Sequence, residues 1–248
     1  MSRLVLYYTD STFLLLEQAQ EEVISQTFPL ETNLPFARER MAEPIKKALE
    51  KHNLHRIVWF SPNYTLFPRV LFDPQQLESY YKLNQGSLPE GQMLSHQLIA
   101  ALDLVIIYTI PVWLYDFSKY DLRVSHVQHS IGTQLQQIAT RHQSSQVTLM
   151  IEATHFVLIA VKDNKLQCCT TNEFQHHADI LYFLLAHQQK LQLPSKLEIS
   201  IYDASGSFDF KTFEELMGQF KEFEHYNSTF YNSKTYQNEI LCALSEDH

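Results

Sequence analysis

One order of elements occurs twice along this chain, and that repetition limits the folds open to it. Three short stretches, Leu4–Tyr8, Thr12–Leu16 and Glu22–Phe28, are rich in Val, Ile, Leu and aromatics and are separated by polar turns, so they predict three strands. A helix follows within Phe36–His52, where Met41, Ile45, Ala48 and Leu49 fall on one face and Pro44 starts or kinks it. Arg56-Ile57-Val58-Trp59-Phe60 then has the continuous apolar character of a buried parallel strand. The order recurs with strands at Val147–Ile151, Phe156–Val161 and Leu166–Thr171, the last two joined by an Asp163-Asn164 hairpin turn. An apolar helix from Ala178 to Leu191 stops before Pro194. Its segment Ile180–Ala186 is apolar nearly all round, which predicts burial on every side. Leu197–Tyr202 is the second parallel strand. Thr212-x-x-Glu215 reads as the capping box of a last helix, with Phe213, Leu216, Met217, Phe220 and Phe223 inward. Leu149 lies 144 residues after Val5, and Ile199 lies 142 after Ile57. This near-constant offset predicts an internal duplication with halves at 1–145 and 146–248.

The first half carries extra elements. Asp73-Pro74 supplies an N-cap and first-turn pair for a helix through Leu83. Gln85–Gln92, with two glycines and a proline, predicts a loop. Gln97–Leu102 and Leu104–Ile110 predict strands, Pro111–Lys119 a short helix and Leu122–Val127 a further strand. Ser130 is expected to cap a helix carrying Ile131, Leu135, Ile138 and Ala139. The apolar window Leu98–Tyr115 holds Asp103 and Pro111, so two buried strands fit it better than a membrane helix of roughly 20 apolar residues.

Three antiparallel strands followed by helix–strand units is the ribonuclease-H-like plan. Two such α/β units in tandem resemble the actin-like ATPase superfamily. Particular residues narrow the resemblance. Lys165-Leu166 with Asn172-x-Phe174, then Asp179-x-Leu181-Tyr182-Phe183-Leu184-Leu185, form a strand and helix signature. Tyr64-Thr65-Leu66-Phe67-Pro68 through Phe72, and Val105–Leu114, supply two more. Together, in order, they resemble the Bacteroidetes family of uncharacterised proteins DUF3822 over most of the chain. That resemblance implies an actin-like ATPase fold. The arrangement is also similar to cytoplasmic scaffold proteins of type IV pilus and type II secretion machines. It implies no reaction.

A nucleotide site in such a fold needs phosphate-wrapping turns after the first strand of each half, a carboxylate holding magnesium, and a glycine-rich adenosine turn. The candidate turns are Thr9-Asp10-Ser11-Thr12, Glu152-Ala153-Thr154-His155 and Asp203-Ala204-Ser205-Gly206-Ser207. Asp10, Ser11, Thr12, Glu152, Thr154, Asp203, Ser205 and Gly206 would bind ATP and magnesium if the alternative of a nucleotide switch or weak ATPase holds. Of the five glycines, Gly206 alone falls at an expected position. Acidic turns without cradling amides repel a triphosphate. No catalytic residue is therefore assigned, and the expected function is a non-catalytic actin-fold scaffold or protein-interaction module.

Other chemistries find little support. Twelve histidines include His52-x-x-His55, His126-x-x-His129 and His176-His177, but no zinc-type motif accompanies them, so no metal site is expected. There is no Gly-x-Ser-x-Gly. Adjacent Cys168 and Cys169 are poor disulfide partners on a strand, and with Cys242 they read as free thiols of a reducing compartment. A net charge of −9 without a basic stripe argues against nucleic acid. Met1-Ser2-Arg3-Leu4-Val5 lacks a cleavage site, so the expected location is cytoplasmic, with no membrane insertion. The partner expected is another protein. The polar, Tyr-rich Asn227–Gln237 reads as a surface loop or a strand edge open to pairing.

Overall fold

Residues 3–8, 12–19, 22–29, 45–47, 54–124, 127–140, 145–194, 197–223 and 226–237 are described by the computed structural model. The chain divides into two compact units, Met1–Thr140 and Arg141–Glu239.

The first unit opens with β1 (Arg3–Tyr8), β2 (Thr12–Ala19) and β3 (Glu22–Pro29), an antiparallel meander where the sequence predicts it. Of the expected helix over Phe36–His52, Ile45–Lys47 is helical and the rest lies outside the described residues. β4 (Leu54–Trp59) returns parallel to β1. Val5, Leu6, Tyr7, Ile57, Val58 and Trp59 are all buried, which is why these strands read as unbroken apolar runs.

An insertion follows that was not foreseen as a sheet. It comprises β5 (Tyr64–Pro68), α1 (Leu77–Gln85), β6 (Gln92–Ile99), β7 (Leu104–Pro111) and α2 (Val112–Asp116). Its strands pair antiparallel in the order β5-β7-β6. Asp73 accepts from the Gln75 amide at 2.9 Å and starts a 3-10 turn, Pro74–Gln76, that runs into α1. Tyr81 of α1 packs with Val105 and Ile107 on one face of this sheet. The helix end covers the β5 edge, where Asn84 donates to Thr65 Oγ1 at 2.9 Å and Gln85 to Tyr64 O at 2.7 Å.

Boundaries here differ from expectation. The strand expected at Gln97–Leu102 begins five residues earlier and stops at Ile99. Ala100–Leu102 is a 3-10 turn, and Asp103 closes it in the left-handed region at φ 55°, a conformation aspartate tolerates. The strand expected at Leu122–Val127 is instead β8 (Val127–His129), because α2 runs on into a wide π turn, Phe117–Asp121. α3 (Ser130–Thr140) follows directly. Ser130 opens this helix, but its hydroxyl has no hydrogen-bond partner and so does not cap it. The main sheet of the unit is ordered β3-β2-β1-β4-β8.

The second unit repeats that sheet. β9 (Ser145–Ile151), β10 (His155–Lys162) and β11 (Lys165–Glu173) form the meander; β12 (Glu198–Asp203) and β13 (Asn227–Tyr231) add in parallel, giving β11-β10-β9-β12-β13. Asp163 and Asn164 take φ of 51° and 59°, as the predicted two-residue hairpin turn requires. α4 (His177–Leu191) buries Ile180, Leu181 and Leu184 against the sheet, but Tyr182 is 68% exposed. The helix lies on one face of the sheet and is not surrounded.

α5 (Phe210–Met217) is capped by Asp209, which accepts from the Thr212 amide at 3.1 Å and its hydroxyl at 2.6 Å. The expected Thr212–Glu215 capping box does not form, because Thr212 is already the third helical residue. A carboxylate one turn earlier satisfies the free amide and suits the helix dipole. Phe213, Met217 and Phe223 face the core, whereas Phe220 is 38% exposed.

Candidate functional site

The candidate turns of the second unit sit at the carboxyl ends of parallel strands, where open α/β sheets bind ligands. Asp10 and Ser11 lie outside the described residues. Thr12 opens β2 opposite Pro29. In the second unit, Asp203 ends β12 directly opposite Ile151, and Glu152 follows Ile151. The topology thus brings two acidic residues, 4% and 6% exposed, to the same end of neighbouring strands.

The turn after β12 is closed upon itself. Asp203 Oδ1 accepts from Ser205 Oγ and from the Gly206 amide, both at 2.7 Å, and Oδ2 accepts from the Phe208 amide at 3.0 Å. Ile151 O takes the Ala204 and Ser205 amides at 2.9 and 3.3 Å, and Ser205 Oγ takes the Ser207 amide at 3.2 Å. Every amide from Ala204 to Phe208 therefore already has an acceptor within the chain. Gly206, at φ +76°, lets the chain fold back over the carboxylate. The residues nominated for adenosine serve an aspartate-anchored turn.

The turn after β9 is equally tight. The Glu152 amide donates to His155 O at 2.8 Å, and Ala153 and Thr154 are absent from the left-handed region. Thr154 Oγ1 pairs with His155 Nδ1 at 2.9 Å, and Thr154 O accepts from the Phe174 amide at 3.1 Å. An open cavity of about 660 Å³ adjoins this turn, lined by Thr154, His155, Glu173, Phe174, Asp179 and Tyr182 among others. Among the described residues no Lys or Arg lines it, so a phosphate entering it meets Glu173 and Asp179. Asp179 is itself occupied: it accepts from the Gln175 and His176 amides at 2.9 Å, and these bonds hold its carboxyl below the usual range.

The corresponding turn after β4 is held by His129, the second residue of His126-x-x-His129. His129 is fully buried among the rings of Phe60, Tyr64 and Tyr108, with centroids at 6.4, 5.5 and 4.8 Å. Its Nε2 lies 3.2 Å from the Ser61 amide and 3.0 Å from Ser61 O. Burial pushes its pKa down to about 3, so the ring is neutral. Ser61 Oγ pairs with Thr109 Oγ1 at 3.0 Å and not with the imidazole, so no serine–histidine nucleophile forms. With Trp59 Nε1 donating to Thr109 O at 2.7 Å, these contacts fasten the inserted sheet to the main sheet of its unit.

The other histidines are scattered. His52 and His126 lie outside the described residues. His177 packs edge-on against Phe208 with centroids 4.7 Å apart, while His176 is exposed. Among the described residues, no three His, Cys, Asp or Glu side chains gather as a metal site. Cys168 and Cys169 are free thiols, and burial raises the pKa of Cys168, which makes it less reactive. No described helix is long and apolar enough to cross a membrane.

A family model described as a protein of unknown function (DUF3822) matches residues 8–217. The chain belongs to the DUF3822 family. No curated protein matches it. Among solved structures, this DUF3822 chain is similar to a Bacteroides thetaiotaomicron protein with actin-like ATPase fold and unknown function. The two are 16% identical with a TM-score of 0.75, over 98% of this chain and 95% of that one. It is also similar, at 11% identity and a TM-score of 0.54, to a chain of the PilM–PilN type IV pilus biogenesis complex, over 98% and 97%. The DUF3822 chain thus has the actin-like ATPase fold, built from two ribonuclease-H-like units.

Proposed function

We propose that this protein is a non-catalytic actin-fold scaffold that binds another protein and does not hydrolyse a nucleotide. The observation that carries this reading is the closed turn after β12, where the five amides from Ala204 to Phe208 are all spent on acceptors of the chain itself. A nucleotide would have to break those bonds and approach two buried acidic side chains, Glu152 and Asp203. The similarity to a chain of a pilus-biogenesis complex supports a partner-binding role for the same fold.

Melting the full chain across a titration of Mg-ATP tests the reading. A ligand at ~100 times its dissociation constant stabilises the folded state by about 2.7 kcal/mol, a shift of several degrees. The expected result is no saturable shift. A saturable one would replace the scaffold by a nucleotide switch.

A further inference from the structure

The two units carry the same sheet, yet they treat its last strand differently. In the first unit, the outward backbone groups of β8 are covered by the insertion: Tyr108 donates its hydroxyl to Val127 O, and the His129 amide donates to Gln97 Oε1 at 2.9 Å. In the second unit, β13 holds the same place, and no described strand pairs with its outer side. The Asn227 amide donates to Leu197 O at 3.0 Å, on the β12 side. Alternation along a parallel ladder therefore turns the amides and carbonyls of Ser228 and Phe230 outward. Asn227-Ser228-Thr229-Phe230-Tyr231 contains no charge and no proline, the devices that usually protect an edge. A cavity of about 600 Å³ adjoins the start of this strand, walled by Met217, Phe220, Phe223 and Tyr226. The Tyr226 hydroxyl is buried there with no hydrogen-bond partner.

We propose that the outer edge of β13 and the adjoining cavity form a strand-addition site that takes an extended segment of a partner protein. Main-chain groups of the segment pair with Ser228 and Phe230, and a bulky apolar side chain sits against Phe220 and Phe223. A second copy of the chain is the poorer occupant, because two molecules of net charge −9 repel. Glu214 and Glu222 outnumber Lys221 around the cavity, which favours neutral or basic flanks on the segment. The inference rests on the scaffold reading and names where that partner binds.

Selection of displayed random dodecapeptides on the immobilised full chain tests it, with recovered peptides then titrated against wild type, Ser228→Pro and Phe220→Ala. Ser228→Pro removes an outward amide and leaves the β12 ladder intact, as proline on an edge strand does. The expected peptides alternate, carry an apolar anchor, and bind Ser228→Pro at least roughly tenfold more weakly, a loss of about 1.4 kcal/mol. Phe220→Ala, which removes an exposed wall of the cavity, should also weaken them while the melting temperature holds. Peptides that bind Ser228→Pro as well as wild type, or no recovered peptides, would overturn the site. A wild-type dimer that Ser228→Pro converts to monomer would overturn the occupant. Mg-ATP melting on the same samples reports on the scaffold reading separately.

Discussion

His129 links sequence to stability most directly. The unfolded chain protonates this ring below about pH 6.5, whereas the native ring stays neutral to about pH 3. Between those values the unfolded state binds one more proton, so native stability falls as pH falls. The slope from this group approaches about 1.4 kcal/mol per pH unit. Urea unfolding at several pH values should show this slope in the wild type and a shallower one in His129→Phe; equal slopes would contradict the assignment. Gly132 is a second such position. A Cβ there would lie 2.8 Å from Gln97 Oε1, the acceptor of the His129 amide. Gly132→Ala gains about 1 kcal/mol of helix propensity but displaces that acceptor, and an orphaned buried amide costs about 1–3 kcal/mol. A net loss of stability is expected in the same unfolding assay.

At the scale of elements, the N-cap of α5 separates two accounts of one helix. Asp209→Ala should lower the unfolding midpoint and Glu215→Ala should leave it, the reverse of what a Thr212–Glu215 box requires. The box was persuasive in sequence because Thr-x-x-Glu is local, while the choice of cap depends on where the chain leaves β12. Strands buried on both faces, such as Val147–Ile151 and Ile57–Trp59, were legible as apolar runs. β8 was not, since Val-Gln-His acquires strand geometry only beside β4. β6 was read late because Gln92–His96 mixes polar residues into a strand whose faces meet different neighbours. Of the candidate site, the turn positions after β9 and β12 were legible. The Asp203 bonds that close the second turn were not, because an aspartate offered to a ligand and one folded onto its own amides have the same sequence.

For the whole molecule, the repeated order of elements predicted the two ribonuclease-H-like sheets, and their identical strand orders bear it out. The insertion in the first unit was legible as a helix and two of its three strands, but not as a sheet, because these strands belong to neither copy of the repeat. Its effect is to cover the outer edge of β8, whereas no described strand pairs with the outer edge of β13. The central claim is that the turn after β12 is closed on its own amides and holds no nucleotide, and hydrogen exchange of the Ala204–Phe208 amides reads it most directly. The account predicts protected amides whose exchange Mg-ATP does not change. Fast exchange in the free protein, slowed by Mg-ATP, would contradict it.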